Sequence, residues 1–390
     1  MSSSIQIAPP SLAPPVLFLG ASDSSLYRHR SRISAIVARM EEGLELLSDS
    51  LLLQPGVRDF LAGLPANSVD LTHLSTPRLL RWLIQSIQLI SPHLGEELNR
   101  FCLSSLLEEE ISVTTLNVWG VPLLLGGRCR ERYRHIGRKL NARAADIVCL
   151  QEMWDRATRD IIEQAGYRSC FGEETMHGIP GGSGLCTLTN WDVVESQLLE
   201  SAIRRGLERT VRKGALFTRL RSPSGDLIDV YNVHLASASA ASPEDSVRET
   251  RDLQITELRD WIEARRIYGS RVLIVGDFNV DASSSQYLRL AELGVDTFDA
   301  SRRGSGDCPR SNTGFTFDPT INPWANSWIS SPTRQPERLD YVLLDDRRRE
   351  RDGSDRSEIL SSVVFNQQTD QGYFLSDHFG VETIFRRYEL

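Results

Sequence analysis

Lysine is almost missing from this 390-residue chain. Lys139 and Lys213 are the only two, and the rest of the positive charge is arginine. Genome composition accounts for the bias, yet it leaves Lys213 conspicuous as a lysine in an arginine-using chain. A positive excess is also missing. The formal net charge is -8, which does not favour a nucleic-acid-binding surface. No uninterrupted apolar stretch approaches the ~18–20 residues that a membrane span needs. No basic segment precedes the apolar patch Val16-Leu17-Phe18-Leu19, and Pro9, Pro10, Pro14 and Pro15 stand before it. That excludes a conventional signal peptide. The six cysteines form no C-x-x-C pair, which argues against a zinc knuckle. Cys149 and Cys186 lie in apolar runs and read as small buried hydrophobes. Thiols of this kind suit a reducing, cytoplasmic compartment. Internal repeats are absent.

What remains is ordinary globular material, 40% apolar and 25% charged, so a packed core is affordable. Residues 1–30 are rich in Ser and Pro and read as a disordered tail. Residues 31–107 read as a helical extension. Within it Thr76-Pro77 has the form of a cap followed by Pro at the first helical position, and Leu79, Leu80, Leu83, Ile84, Ile87 and Ile90 recur at helical spacing. This helix is too short to span a bilayer but suits an interface or a packed subdomain. Near Glu110 the grammar changes to short strands alternating with helices, so residues 108–390 read as one catalytic-type domain. Strands are predicted at 111–118, 146–151, 184–189, 214–220, 226–234, 271–277, 339–344, 359–365 and 379–385, with helices at 130–142, 156–165 and 245–266. The run from Asp345 to Glu358 mixes both charges and reads as a solvated loop. The irregular stretch at 301–336 is of the kind that carries specificity.

Several of those strands end in polar residues. Val272-Leu273-Ile274-Val275 runs into Gly276-Asp277-Phe278-Asn279. Asn117 follows one apolar run, Glu152 another and His234 a third. Asp340 precedes Tyr341-Val342-Leu343-Leu344, and Ser376-Asp377-His378 comes near the C-terminus. Phosphodiester hydrolysis needs an aligned water, charge neutralisation on the phosphoryl oxygens and help for the leaving oxygen. Carboxylates, amides and two histidines on strand ends supply these parts for a divalent-metal phosphoesterase. Glu152 and Asn117 offer oxygen ligands suited to magnesium. Asp340 offers an orienting carboxylate for His378. Two such histidines can divide base and transition-state roles.

The order Asn…Gln-Glu…His…Gly-Asp-x-Asn…Asp-Tyr…Ser-Asp-His resembles the endonuclease/exonuclease/phosphatase superfamily over roughly residues 111–385. Within it the sequence is most similar to neutral sphingomyelinases, through Leu116-Asn117-Val118-Trp119-Gly120-Val121-Pro122, Ile147-Val148-Cys149-Leu150-Gln151-Glu152-Met153-Trp154, Gly182-Ser183-Gly184-Leu185-Cys186 and Arg212-Lys213-Gly214-Ala215-Leu216-Phe217. The resemblance implies an α/β fold of two packed mixed β-sheets flanked by helices, a DNase I-like four-layer sandwich. It implies that Asn117, Glu152 and Asp377 hold Mg2+, with Mn2+ as a substitute, and that His378 is the general base oriented by Asp340. His234, Asp277 and Asn279 would stabilise the pentacoordinate phosphoryl group or assist the leaving oxygen, and Asp277 could instead sit on a second metal. Lys213 would seat the phosphate. Five residues before it the chain has Glu208, where the larger sphingomyelinases have Asp.

The implied activity is phospholipase C-type hydrolysis of sphingomyelin or a related phosphosphingolipid to ceramide and a phospho-head group. The implied partners are the lipid substrate and a peripheral membrane surface, through the helix at 77–91 and through Trp324 and Trp328. No stable nucleic-acid partner is expected. Three alternatives fit less well. An apurinic or DNA endonuclease lacks the Trp-Gly-Val-Pro run, and an inositol polyphosphate 5-phosphatase carries Trp-Cys-Asp-Arg where this chain has Arg338-Leu339-Asp340-Tyr341. A non-enzymatic membrane adaptor would show a damaged metal site, and none of the expected residues is missing.

Overall fold

Apolar β-branched residues at a period of two make buried strands in which successive side chains serve opposite faces. The run Arg271–Asp277 does this: Val272 and Ile274 join one core cluster, Leu273 and Val275 another. The run Ile147–Gln151 repeats the division, with Ile147 and Cys149 on one side and Val148 and Leu150 on the other. Both runs are buried on two faces, which is why they read as continuous apolar segments.

The computed structural model describes residues 110–121, 129–171, 182–204, 209–238, 244–267, 270–304, 314–325, 335–345, 356–365, 368–369 and 371–388. The chain divides into two compact units, 1–74 and 75–390, and the described residues all belong to the second. The tail at 1–30, the helical pattern at 31–107, Glu208, Trp328 and most of the charged run after Asp345 lie outside the described residues.

In chain order the strands are β1 (Glu110–Asn117), β2 (Ile147–Gln151), β3 (Ser169–Phe171), β4 (Cys186–Thr189), β5 (Asp192–Glu200), β6 (Gly214–Arg221), β7 (Leu227–His234), β8 (Arg271–Asp277), β9 (Val295–Asp296), β10 (Asp340–Asp345), β11 (Arg356–Phe365) and β12 (Gly380–Tyr388). The helices are α1 (Cys129–Arg143), α2 (Arg159–Ala165), α3 (Glu244–Arg265), α4 (Tyr287–Ala291) and α5 (Thr297–Gly304). They build two six-stranded sheets, one ordered β11-β12-β1-β2-β4-β3 and the other β5-β6-β7-β8-β10-β9. Each is mixed: β1 runs parallel to β2 and β7 parallel to β8, while the other pairings are antiparallel.

The core between the sheets draws Val113, Cys149 and Phe385 from the first sheet and Val230, Leu273 and Val342 from the second. Outside the first sheet, Tyr133, Ile136 and Leu140 of α1 bury an i, i+3, i+7 stripe. Outside the second, Ile255, Leu258 and Ile262 of α3 do the same. The result is the four-layer α/β sandwich that the sequence resemblance implied.

Three strands escape the sequence reading: β3, β5 and β9. In β5 most side chains are exposed, and it lies at a sheet edge. An edge strand wet on both faces carries no alternation to read. The helix predicted at 156–165 is a 3-10 turn, Arg156–Thr158, capped by Asp155, followed by α2.

Candidate active site

Strand register puts the polar strand ends in line. In the second sheet Gly214 pairs with His234, His234 with Asp277, and Asp277 with Asp340. In the first sheet Asn117 pairs with Gln151, which places Glu152 one residue beyond the end of β2. Both rows lie at the same end of the sandwich, and Asn117 joins them. Its Nδ2 donates to Glu152 Oε1 and to Asp277 Oδ2, each at 3.0 Å.

Asp340 and His378 form a dyad. His378 Nδ1 lies 2.8 Å from Asp340 Oδ2, with the carboxylate fully buried. His378 is also held from behind: Phe317 packs edge-on against its ring and Ser376 Oγ accepts from its backbone N–H. Burial alone would push the His378 imidazole down, but Asp340 and Asp277 override it and lift it to about 10. His378 Nε2 lies 3.9 Å from Asp277 Oδ2.

His234 stands in contrast. It is buried, its Nε2 is 3.6 Å from Asp277 Oδ2 and 3.9 Å from Glu152 Oε1, and neither ring nitrogen has a hydrogen-bond partner. Burial and the Lys213 charge hold it well below the usual histidine range, so it stays neutral. Trp154 lies against its ring at 5.8 Å.

Burial is the largest influence on the acids, and their neighbours push them in different directions. Burial and the Asp377 charge push Glu152 up to about 7 despite the bond from Asn117. Glu152 Oε2 is buried with no hydrogen-bond partner. Burial also raises Asp377, against the pull of His378 and Arg132. Asp277 is held below the carboxylate range: burial opposes this, but His378, His234 and Asn117 prevail. Its Oδ1 accepts from Asn279 N–H at 2.9 Å.

A hard divalent cation with oxygen ligands fits this edge. One amide NH2 is shared by two carboxylates, and a third acid adds its charge beside an orphaned oxygen. Asp277, Asp340 and His378 also bring ligand atoms within 4.8 Å of one another. That triangle is already joined by the dyad bond, while Glu152 Oε2 is left as an orphaned acceptor that a cation would satisfy.

Lys213 is buried at 2% exposure, and its Nζ donates to Leu235 O at 3.0 Å and Ser237 Oγ at 3.2 Å. Asn279 Nδ2 donates to the same Leu235 carbonyl at 3.2 Å. The Lys213 charge is felt at Glu152, His234 and Asp277. All nine residues predicted from sequence therefore meet at this end of the sandwich.

The backbone is strained here. Among the described residues four non-glycines have left-handed φ, and Trp119, Glu152 and Asn279 belong to the site's strand ends. Such conformers cost ~1–3 kcal/mol each and cluster at functional sites. Gly276 has φ +141°, and a Cβ there would meet Val233 O at 2.1 Å. Only glycine lets β8 lie this close to β7.

Sequence reading missed the residues that brace the site. Asn232 accepts from Gln151 Nε2 at 2.8 Å across the two sheets and donates to Leu150 O and Cys186 O. Asn322 donates to Ser376 O at 2.9 Å. Arg132 of α1 donates to the carbonyls of Val118 and Leu375, which lie beside Asn117 and Asp377 in the chain. Asn232 sits in a recognisable Asn-Val-His segment; Arg132 and Asn322 carry no local signal. Trp324 packs on Trp119 at 5.4 Å and donates through Nε1 to Phe374 O.

Residues 114–378 match the Endonuclease/Exonuclease/phosphatase family. The chain belongs to that family. Among its relatives, the inositol phosphosphingolipids phospholipase C of Schizosaccharomyces pombe is 27% identical over 303 residues, covering 70% of this chain and 68% of that protein. A putative neutral sphingomyelinase of Drosophila melanogaster is 24% identical over 184 residues, covering 46% of this chain and 41% of that one. The fold is also that of beta toxin from Staphylococcus aureus, solved with bound magnesium ions, at a TM-score of 0.54, 18% identity and coverage of 72% of this chain and 100% of the toxin. TDP2 of D. rerio, solved with a single-strand DNA product, matches at a TM-score of 0.53, 17% identity and coverage of 71% and 98%. With the family membership, the buried dyad and the acidic edge, the chain reads as a hydrolase of phosphoester bonds.

Proposed function

We propose that this family member is a Mg2+-dependent phosphodiesterase that cleaves a phosphosphingolipid, releasing ceramide and a phospho-head group. The observation that carries the reading is the buried Asp340–His378 dyad set across the strand row from the Asn117–Glu152–Asp377 edge. The sphingolipid part is supported by the names of the two curated relatives.

Asn117, Glu152 and Asp377 would hold Mg2+. When bound, the ion supplies charge neutralisation on the phosphoryl oxygens. Asp340 keeps the Nδ1 proton of His378, so the neutral ring presents Nε2 as the acceptor for a proton from the attacking water. The lift on His378 comes from Asp340, Asp277 and Asp377, and it shrinks once those charges are compensated. The water oxygen bonds to phosphorus as the bond from phosphorus to the ceramide oxygen breaks. His234, held neutral, has an N–H that donates a hydrogen bond to the leaving oxygen, which takes its proton from solvent, and Asn279 and Lys213 steady the phosphoryl group.

The substrate lies in a lipid surface, so the rim should touch one. Ile321 is 57% exposed and Tyr373 61% exposed. Their loops are joined behind by the Trp324–Phe374 bond and by Asn322 on Ser376 O. Among the described residues no helix is long and apolar enough to cross a membrane.

The test is hydrolysis by the purified full chain of sphingomyelin, an inositol phosphosphingolipid, a lysolipid, abasic DNA and inositol phosphates. Activity should be confined to the phosphosphingolipids, vanish in excess chelator and return with Mg2+ or Mn2+. Full activity in chelator sinks the metal reading, and preference for DNA sinks the substrate reading.

A further inference from the structure

Arg132 lies in the first turn of α1, where the helix dipole disfavours a cation. Among the described residues no carboxylate lies within ion-pair distance of it. Its guanidinium is spent on three backbone carbonyls. Nη1 donates to Val118 O at 2.7 Å and to Leu375 O at 2.6 Å, and Nη2 donates to Trp119 O at 2.9 Å. The ring of Tyr133 lies 4.5 Å below it.

The positions of those carbonyls give the group its meaning. Val118 and Trp119 directly follow Asn117, and Leu375 stands two residues before Asp377. The β1–β12 ladder ends at Thr115–Val381, so Val118–Trp119 and Leu375–Asp377 lie just beyond its last pair. The other described hydrogen bond between them is Ser376 Oγ donating to Asn117 O at 2.6 Å, and Val118 and Leu375 share one apolar cluster. Trp119 also has φ +49°, a conformation that surrounding contacts must hold in place. A planar fork can bridge carbonyls from two segments; an ammonium is a compact point donor on a flexible stem.

We infer that Arg132 is a positioning residue, a clasp that holds the Asn117 and Asp377 segments at the spacing where both can ligate one divalent cation. The inference rests on the metal reading above. Groups that orient metal ligands typically carry 10–100-fold in metal affinity.

The experiment is calorimetric titration of Mg2+ into the metal-free full chain, repeated for Arg132→Lys, Arg132→Met and Asn141→Ala. The last removes a bond from the same helix to Ala165 O without touching the clasp, and so controls for general loosening of α1. All are measured well below each variant's unfolding midpoint. Arg132→Lys and Arg132→Met should each weaken Mg2+ binding by about 10–100-fold, with Asn141→Ala unchanged. Affinity retained in Arg132→Lys, or tightened in Arg132→Met, would mean that only charge matters and would overturn the clasp. Equal weakening in Asn141→Ala overturns it too. If the unmodified chain binds no Mg2+, the metal reading fails and the clasp falls with it.

Discussion

The two histidines of this site differ in everything except their placement. His378 is tied to a buried carboxylate and is drawn toward its protonated form; His234 has no hydrogen-bond partner and is driven toward neutrality. Environments that push paired groups apart assign their roles. His378→Ala and His234→Ala should each lower kcat by ~10²-fold or more, the usual scale of general acid–base catalysis. Wild-type rates in both would make them structural. Asp340→Asn should also lower kcat with little change in unfolding temperature, since an amide can hold the wrong imidazole tautomer. Lys213 adds a charge that reaches His234 and two acids, yet its Nζ is anchored on Leu235 O and Ser237. Lys213→Ala should reduce hydrolysis on lipid vesicles, and Lys213→Arg should restore only part, because the longer fork does not fit the same pair of acceptors. Unchanged rates in both variants, measured across several lipid compositions, would remove Lys213 from the mechanism.

Elements matter here mainly by their ends. The register Gly214–His234–Asp277–Asp340 crosses four strands of one sheet. A slip of one residue in any of them would turn its functional side chain to the other face. Beneath this row, the amide pair Gln151–Asn232 pins one sheet to the other, next to both Glu152 and His234. Asn232→Leu leaves Gln151 Nε2 without its Asn232 acceptor and removes the donors to Leu150 O and Cys186 O. Each buried polar group left unmet costs ~1–3 kcal/mol, so the unfolding midpoint should fall by several degrees, with turnover falling alongside it. An unchanged midpoint in a thermal melt would show that the pair does not brace the sandwich.

On the scale of the whole molecule, the sandwich gathers its chemistry at one end, and the loops 314–325 and 368–378 flank it. They meet at Phe317 and His378, which pair as an isolated bridge, and at Phe379 N–H on Thr316 O. Exposed Ile321 and Tyr373 sit on these same loops. Replacing both by Ser should weaken co-sedimentation with sphingomyelin vesicles by at least about tenfold, since each large apolar side chain is worth ~1.5–3 kcal/mol when buried. Hydrolysis of detergent-dispersed substrate should be spared. Vesicle binding that survives the double change would place the lipid contact elsewhere on the chain.

Apolar period and polar punctuation, read along the chain, were enough to locate nine of the twelve strands and to name candidate residues at their ends. The reason is physical: a buried strand must be apolar throughout, so a carboxylate, amide or imidazole at its end stands out. The structure adds why Gly276 stands in β8: no side chain fits between β7 and β8 there. Edge strand β5 stayed hidden, since residues exposed on both faces obey no period. Only the tertiary structure decided which histidine is drawn toward protonation, because that depends on the bond between His378 and Asp340 and on the burial and Lys213 charge around His234. It alone recruited Arg132, whose acceptor Leu375 O lies 243 residues away in the chain. A bond to a backbone carbonyl leaves no trace in the partner's identity, so such a clasp exists only once the chain has folded.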